Sequence, residues 1–135
     1  MPITTITDAD NPAKQPFQAA VSFAISSGQS AGSATITRVP AKKRLVIEYI
    51  SSEMILPVNN LAGEFQIATV LGGPPPVTHT LFFSPQTNGA QGLSQLVRFY
   101  ADPQTSVDIQ VLREGATTQA VTVRAAISGH LVNVA

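Results

Sequence analysis

Residues 17–25 read FQAAVSFAI, and this stretch decides the fold. Five apolar residues occupy its odd-numbered positions, and small or polar residues occupy the even-numbered ones. A period of two is typical of a β-strand that buries one face and exposes the other. The stretch therefore predicts a strand with its odd-numbered side chains in a core.

Seven further segments have the same character, being short and rich in Val, Ile, Thr, Phe and Tyr. They lie at residues 33–39, 44–55, 64–70, 78–84, 94–101, 106–113 and 119–134. Apart from Gly129, the ten prolines and nine glycines fall between the predicted strands or in the N-terminal arm. No window combines an uninterrupted helical stripe with an N-cap, so we expect almost no helix.

Eight short strands at regular spacing favour a two-sheet sandwich or a small barrel over any αβ arrangement. We predict an all-β fold, an antiparallel two-sheet sandwich of about eight strands that is jelly-roll-like, with an immunoglobulin-like sandwich as the second choice. Residues 1–15 are predicted to form an N-terminal arm, and residues 16–135 a single β-sandwich domain.

Three local signals refine this expectation. Asp102-Pro103 and Glu114-Gly115 are turn sequences between predicted strands, and we expect each of them to close a hairpin. Ser128-Gly129 interrupts the long last strand. A β-bulge or a corner is expected there.

The charge balance excludes one class of partner. Lys and Arg together number 8, as do Asp and Glu, so the formal net charge is zero. Without a basic excess to neutralise phosphates, nucleic acid is not an expected partner. Charged residues make up only 12% of the chain, against about 25% in an average soluble domain. This composition is typical of a secreted protein or of one whose surface is partly hidden by copies of itself.

The chain is expected to be soluble. Its first residues lack the basic start and apolar run of a signal peptide, and no apolar stretch approaches the ~20 residues of a membrane span. The absence of cysteine leaves the redox compartment open, so the localisation is unknown and secretion stays an alternative.

Residue types for catalysis are scarce. His79 and His130 are the only histidines, and there is no cysteine to join them as a metal ligand. We expect His79 at a rim of the fold and His130 pointing away from the core. No nucleophile elbow is present, and Glu48 and Glu53 have opposite parity on one strand. We therefore predict a protein that is not an enzyme and that uses no metal or other cofactor.

Two predicted strands are apolar on both faces, which a sheet with one face in water does not require. In LVIEYI (45–50) and LVRFY (96–100), alternate residues are apolar on each side. We expect the N-terminal arm, a long loop or another subunit to cover the second face, and Glu48 and Arg98 to form a pair within it. The predicted interface residues are Val46, Glu48, Ile50, Leu96, Arg98 and Tyr100. Exposed apolar residues on a wide sheet are the alternative interpretation.

Amide-rich loops offer a second candidate surface. If successive strands alternate in direction, the loops at 26–32, 58–63, 84–92 and 113–118 gather at one end of the sandwich. The predicted donors and acceptors for a carbohydrate or another ligand are Asn59, Asn60, Gln86, Asn88 and Gln91. The chain has no Trp, and its aromatic residues all lie in predicted strands, so ordinary polar turn composition is the favoured interpretation.

Three segments carry a resemblance: VPAKKRLVIEYIS (39–51), QLVRFYADP (95–103) and ISGHLVNV (127–134). They resemble short bacterial β-sandwich proteins of unknown function. In such proteins a Gly is expected where Lys42 or Lys43 stands, and a Tyr where His130 stands. The resemblance implies the sandwich fold and no activity.

The first hypothesis for function is a non-enzymatic structural or interaction module that self-associates into a homo-oligomer through its doubly apolar strands. The second is a carbohydrate-binding, lectin-like domain that uses the amide-rich loops. An enzyme of unrecognised type is third.

Overall fold

A computed structural model describes residues 14–56, 60–83, 89–115 and 119–134. Within these ranges the chain forms eight strands and no helix. They are β1 (Gln15–Ile25), β2 (Ala31–Arg38), β3 (Lys43–Leu56), β4 (Asn60–Thr69), β5 (Val77–Phe82), β6 (Gly89–Ala101), β7 (Ser106–Gly115) and β8 (Val121–Asn133). The described residues therefore include no helix that could cross a membrane.

The strands form two antiparallel four-stranded sheets, with the order β1-β8-β3-β6 in sheet I and β2-β7-β4-β5 in sheet II. Most consecutive strands lie in opposite sheets, and only β4 and β5 pair as sequence neighbours. This arrangement is a jelly-roll-like sandwich, and it confirms the predicted all-β fold.

The two turn sequences do not close hairpins. Asp102-Pro103 connects β6 in sheet I with β7 in sheet II, and Glu114-Gly115 ends β7, whose successor β8 lies in sheet I. The positions of the turns were predicted, but the pairing of the strands they join was wrong. Turn residues report a change of chain direction, whereas the burial of whole strand faces decides which strands pair.

The core lies between the inner faces of the two sheets. The alternation in β1 is confirmed, because its odd-numbered residues pack against the core cluster while the even-numbered ones are exposed. The largest fully buried side chains include Phe65, Ile47, Ile67 and Ile109. Burying a side chain of this size contributes about 1.5–3 kcal/mol, so these facing rows supply much of the driving force for folding.

A bulge between β3 and β8 changes the predicted faces of β3. The register shifts between Ile47 and Tyr49, which pair with Gly129 and Ser128, so Glu48 is an extra residue on β3. A Cβ on Gly129 would lie 1.9 Å from the carbonyl oxygen of Val46, which only glycine permits. The irregularity was predicted at Ser128-Gly129, but the extra residue lies on the partner strand.

Asp102 links three segments of the chain at one end of the sandwich by hydrogen bonds. Its carboxylate accepts a 2.6 Å hydrogen bond from the backbone N–H of Gly72 and a 3.3 Å one from Arg44 Nε. Its own N–H donates to the carbonyl of Val70 at 2.8 Å. The turn between β6 and β7 is thus held against the β4–β5 connection and the start of β3.

Candidate interaction surface

The outer face of sheet I is a set of side-chain rows that run across all four strands. Each row is fixed by the strand register. In order of β1, β8, β3 and β6, the rows are Pro16–His130–Val46–Tyr100, Gln18–Ser128–Tyr49–Leu96, Ala20–Ala126–Ser51–Ser94 and Ser22–Arg124–Glu53–Gly92.

Five of the six predicted interface residues lie on this face, Glu48 by its contact with His130 and the others by register or exposure. Val46 is buried at 7% exposure, Leu96 is 80% exposed, and Arg98 and Tyr100 are also exposed. Ile50 was wrongly assigned to the interface, since it is fully buried in the core. The extra residue in β3 shifts the parity of the strand, so Ile50 shares the inner face with Leu45 and Ile47 rather than the outer face with Val46.

Glu48 is paired, although not with the residue expected. Its Oε1 lies 2.7 Å from His130 Nδ1, which donates the hydrogen bond, and the histidine side chain is only 12% exposed. Arg98 forms no ion pair with a carboxylate of the described residues. The expected Glu48–Arg98 pair is therefore wrong: the bulge places Glu48 beside β8. His130 points away from the core, as expected, but this contact covers it.

A shallow depression crosses the middle of the outer face. Its lining includes the row Ala20–Ala126–Ser51–Ser94, which contains only alanine and serine, and also Phe82 of β5. The depression is open to solvent and has a volume of about 930 Å³. The Arg124–Glu53 ion pair, in which the nitrogen and oxygen are 3.1 Å apart, lies along one side. No histidine lines it to activate a serine hydroxyl, and no group of three metal-ligating side chains occurs among the described residues.

Exposed large apolar side chains are concentrated on one side of the sandwich. The described residues include seven, all on β3, β5, β6 or the connection between β4 and β5. They are Tyr49, Ile55, Leu71, Val77, Phe82, Leu96 and Tyr100. We call this the β5–β6 side, after the two edge strands that lie there.

His79 joins the two sheets at this side. Its ring stacks on Phe99 with centroids 3.9 Å apart and planes inclined by 10°. Phe99 belongs to β6 and His79 to β5, so the stack closes the core between the two edge strands. This is the rim position expected from the sequence, and it gives His79 a packing role.

The amide-rich loop residues do not assemble into a described site. Asn59, Gln86 and Asn88 lie outside the described residues, as does the side chain of Asn60. Gln91 is 1% exposed, so its assignment to a ligand-binding surface was wrong. Its parity in β6 places it on the inner face, together with Leu93.

Arg113 is a buried residue that the sequence analysis missed. It is 2% exposed, and its guanidinium donates hydrogen bonds to the backbone carbonyls of Ser26, Gln29 and Gln119. The signal was available, because Arg113 continues the inward series of β7 that begins at Val107. A charged residue at a core parity position indicates a buried anchor for loops.

Comparison with known proteins identifies a fold and no family. No family model matches the sequence, and no curated protein matches it. A chain of the infectious bursal disease virus T13 particle shares 12% identity with a TM-score of 0.56, over 91% of this chain and 36% of that one. The present chain thus spans about a third of that viral chain.

Two further matches have TM-scores below 0.5. A chain of the cyanophage Pam1 capsid asymmetric unit has 14% identity and a TM-score of 0.49, over 95% of this chain and 93% of that one. The family 16 carbohydrate-binding module-2 reaches only 0.35, at 12% identity, over 83% of this chain and 76% of that one. At such identities similarity extends to the fold alone.

Proposed function

We propose that this protein is a non-enzymatic structural module that associates with copies of itself through the β5–β6 side and the adjoining outer face of sheet I. The observation that carries the proposal is the confinement of all seven exposed large apolar side chains of the described residues to that side. A concentration of exposed apolar side chains on one side of a protein is typical of a protein–protein contact, because releasing water from apolar surface lowers the free energy.

The distribution of charge supports the same surface. Arg98 is the only charged residue of β6, in a strand of thirteen residues. Depletion of charge around exposed aromatic and aliphatic side chains is typical of the centre of an interface. The fold is also compatible with assembly, since a viral particle contains a chain with this fold.

Carbohydrate binding has less support. It depended on five amide side chains, of which Gln91 is buried and the other four lie outside the described side chains. No observation on the described residues favours it over self-association.

The test is the mass in solution. Size-exclusion chromatography with light scattering, run from low to high micromolar concentration, should give a mass that is a multiple of 14.2 kDa and that falls on dilution. A mass of one chain at every concentration would contradict the proposal.

A further inference from the structure

We propose that two copies of this chain pair edge to edge through β6, antiparallel about a two-fold axis at Gln95, so that their two copies of sheet I form one continuous sheet. This inference rests on the proposed self-association and names the contact that makes it. An edge strand presents unpaired backbone N–H and C=O groups, and a second strand satisfies them. A two-fold axis lets identical strands satisfy each other.

β6 is the least protected of the four edge strands. It contains thirteen residues and no proline, and none of the described strands pairs with its outer side. The other edges carry features that discourage pairing. β1 contains Pro16, β2 has a register shift between Thr35 and Thr37, and β5 has only six residues.

The outer face of β6 is complementary to itself about Gln95. The axis places each large side chain of one copy opposite a small residue of the other. The pairs are Leu96 with Ser94, Arg98 with Gly92, and Tyr100 with Ala90. All six of these residues are exposed. The irregularity opposite Glu48, at Val97 and Arg98, coincides with the Arg98–Gly92 pair, and the Leu96–Ser94 pair lies between it and the axis.

Charge complementarity supports this register. Within one chain, Gly92 pairs with Glu53 on the neighbouring strand, and the Glu53 side chain is 52% exposed. Because Gly92 has no side chain, Arg98 of one copy can extend over it to reach Glu53 of the second copy. A shift of two residues would instead set Leu96 against Leu96 and remove Arg98 from this row.

Cysteine cross-linking tests the axis, because the chain contains no natural cysteine. In a Gln95→Cys variant the two thiols face each other across the axis. Directly opposed residues of antiparallel strands have Cα atoms about 4.5–5.5 Å apart, within the range of a disulfide. Mild oxidation should convert most of this variant into a covalent dimer. Gln18→Cys, an exposed glutamine replaced on the other edge strand of sheet I, should stay largely monomeric.

The outcomes separate this inference from the proposed function. An oligomeric mass together with no Gln95→Cys dimer, or with equal dimer yields for both variants, overturns the edge pairing and leaves self-association through another surface. A mass of one chain for the unmodified protein overturns both. Efficient cross-linking of Gln95→Cys alone supports both.

A charge exchange tests the register. Arg98→Glu should weaken association about tenfold or more, since it sets two carboxylates against each other. Adding Glu53→Arg together with Arg124→Glu, which preserves the ion pair between positions 53 and 124 within each chain, should restore most of the lost affinity. If this triple variant associates no better than Arg98→Glu alone, Arg98 does not contact Glu53 of the second copy, and this register is wrong.

Discussion

At the scale of single residues, backbone geometry explains two positions that side-chain chemistry does not. Gly129 lies where the carbonyl of Val46 comes too close for any Cβ. Lys42 has a φ of 62°, in the left-handed region that favours glycine. Lys42 immediately precedes β3, and Gly129 lies where β8 pairs with β3. The backbone conformation at these two positions therefore controls the register of sheet I.

Gly129→Ala should destabilise the protein by about 3 kcal/mol or more, because the added Cβ forces the β3–β8 backbones apart. Gly92→Ala is the matched control, since nothing lies within 4 Å of a Cβ at that position. Its effect on the free energy of unfolding should stay within about 1 kcal/mol. Urea denaturation at low protein concentration measures both. Equal midpoints for the two variants would contradict the steric argument.

Lys42→Gly should leave the free energy of unfolding unchanged or raise it by up to about 1 kcal/mol. Relief of the left-handed strain, about 1–2 kcal/mol, is partly offset by the greater freedom of glycine in the unfolded chain. Lys43→Gly should destabilise, by about 0.5–1 kcal/mol, because it weakens the start of β3 and removes a hydrogen bond from Lys43 Nζ to Asn133. Thermal denaturation compares the pair. A Lys42→Gly variant less stable than Lys43→Gly would refute this account.

At the scale of elements, β7 combines core packing with the anchoring of loops. Val107, Ile109 and Val111 bury their side chains in the core, and Arg113 continues the same face into the end of the sandwich. There its guanidinium satisfies carbonyls of the β1–β2 connection and of Gln119. One strand thus sets the position of two connections, which hydrophobic alternation alone would not show.

Arg113→Met should destabilise by about 2–4 kcal/mol, since the substitution keeps much of the packing volume but removes the three hydrogen bonds that the buried guanidinium donates to the carbonyls of Ser26, Gln29 and Gln119. Arg124→Met is the matched control. Its side chain is 70% exposed, and its ion pair with Glu53 contributes little, so a loss below about 1 kcal/mol is expected. Chemical denaturation of both variants measures the two losses in the free energy of unfolding. Similar losses would show that the Arg113 hydrogen bonds contribute little to stability.

At the scale of the whole molecule, the sandwich is unequal on its two sides. The β1–β2 side exposes no large apolar side chain among the described residues, whereas the β5–β6 side has all seven. Folding of one chain does not require this asymmetry, because the core between the sheets is already closed by the stack of His79 on Phe99. Under the proposed function, these exposed apolar residues serve association rather than stability.

Leu96→Ser separates association from folding. Leu96 is 80% exposed, so the variant should keep the unfolding midpoint of a dilute sample within the range of ordinary surface substitutions. Loss of a buried leucine contact should raise the dissociation constant of the oligomer about tenfold, the equivalent of roughly 1.4 kcal/mol. Light scattering over a dilution series measures this. An unchanged dissociation constant would remove Leu96 from the interface.

By itself, the sequence determined the class of fold, because alternation and turn residues are local properties. The strand predicted at 17–25 corresponds to β1, and each of the other predicted segments corresponds to one observed strand. It also pointed to the doubly apolar strands β3 and β6, since parity can be read along a single segment. The same parity places Arg113 on the inner face of β7, and this could have predicted a buried arginine that anchors loops.

Only the tertiary structure decided which strands pair, where β3 changes parity, and which residue meets Glu48. Pairing depends on the burial of entire strand faces, so the turns at Asp102-Pro103 and Glu114-Gly115 connect sheets rather than close hairpins. The approach of the Val46 carbonyl to Gly129 makes Glu48 an extra residue, which moves Ile50 into the core and brings His130, instead of Arg98, to the carboxylate. Such contacts join residues distant in sequence. Ser128-Gly129 indicated an irregularity, but no local pattern placed the extra residue on the partner strand.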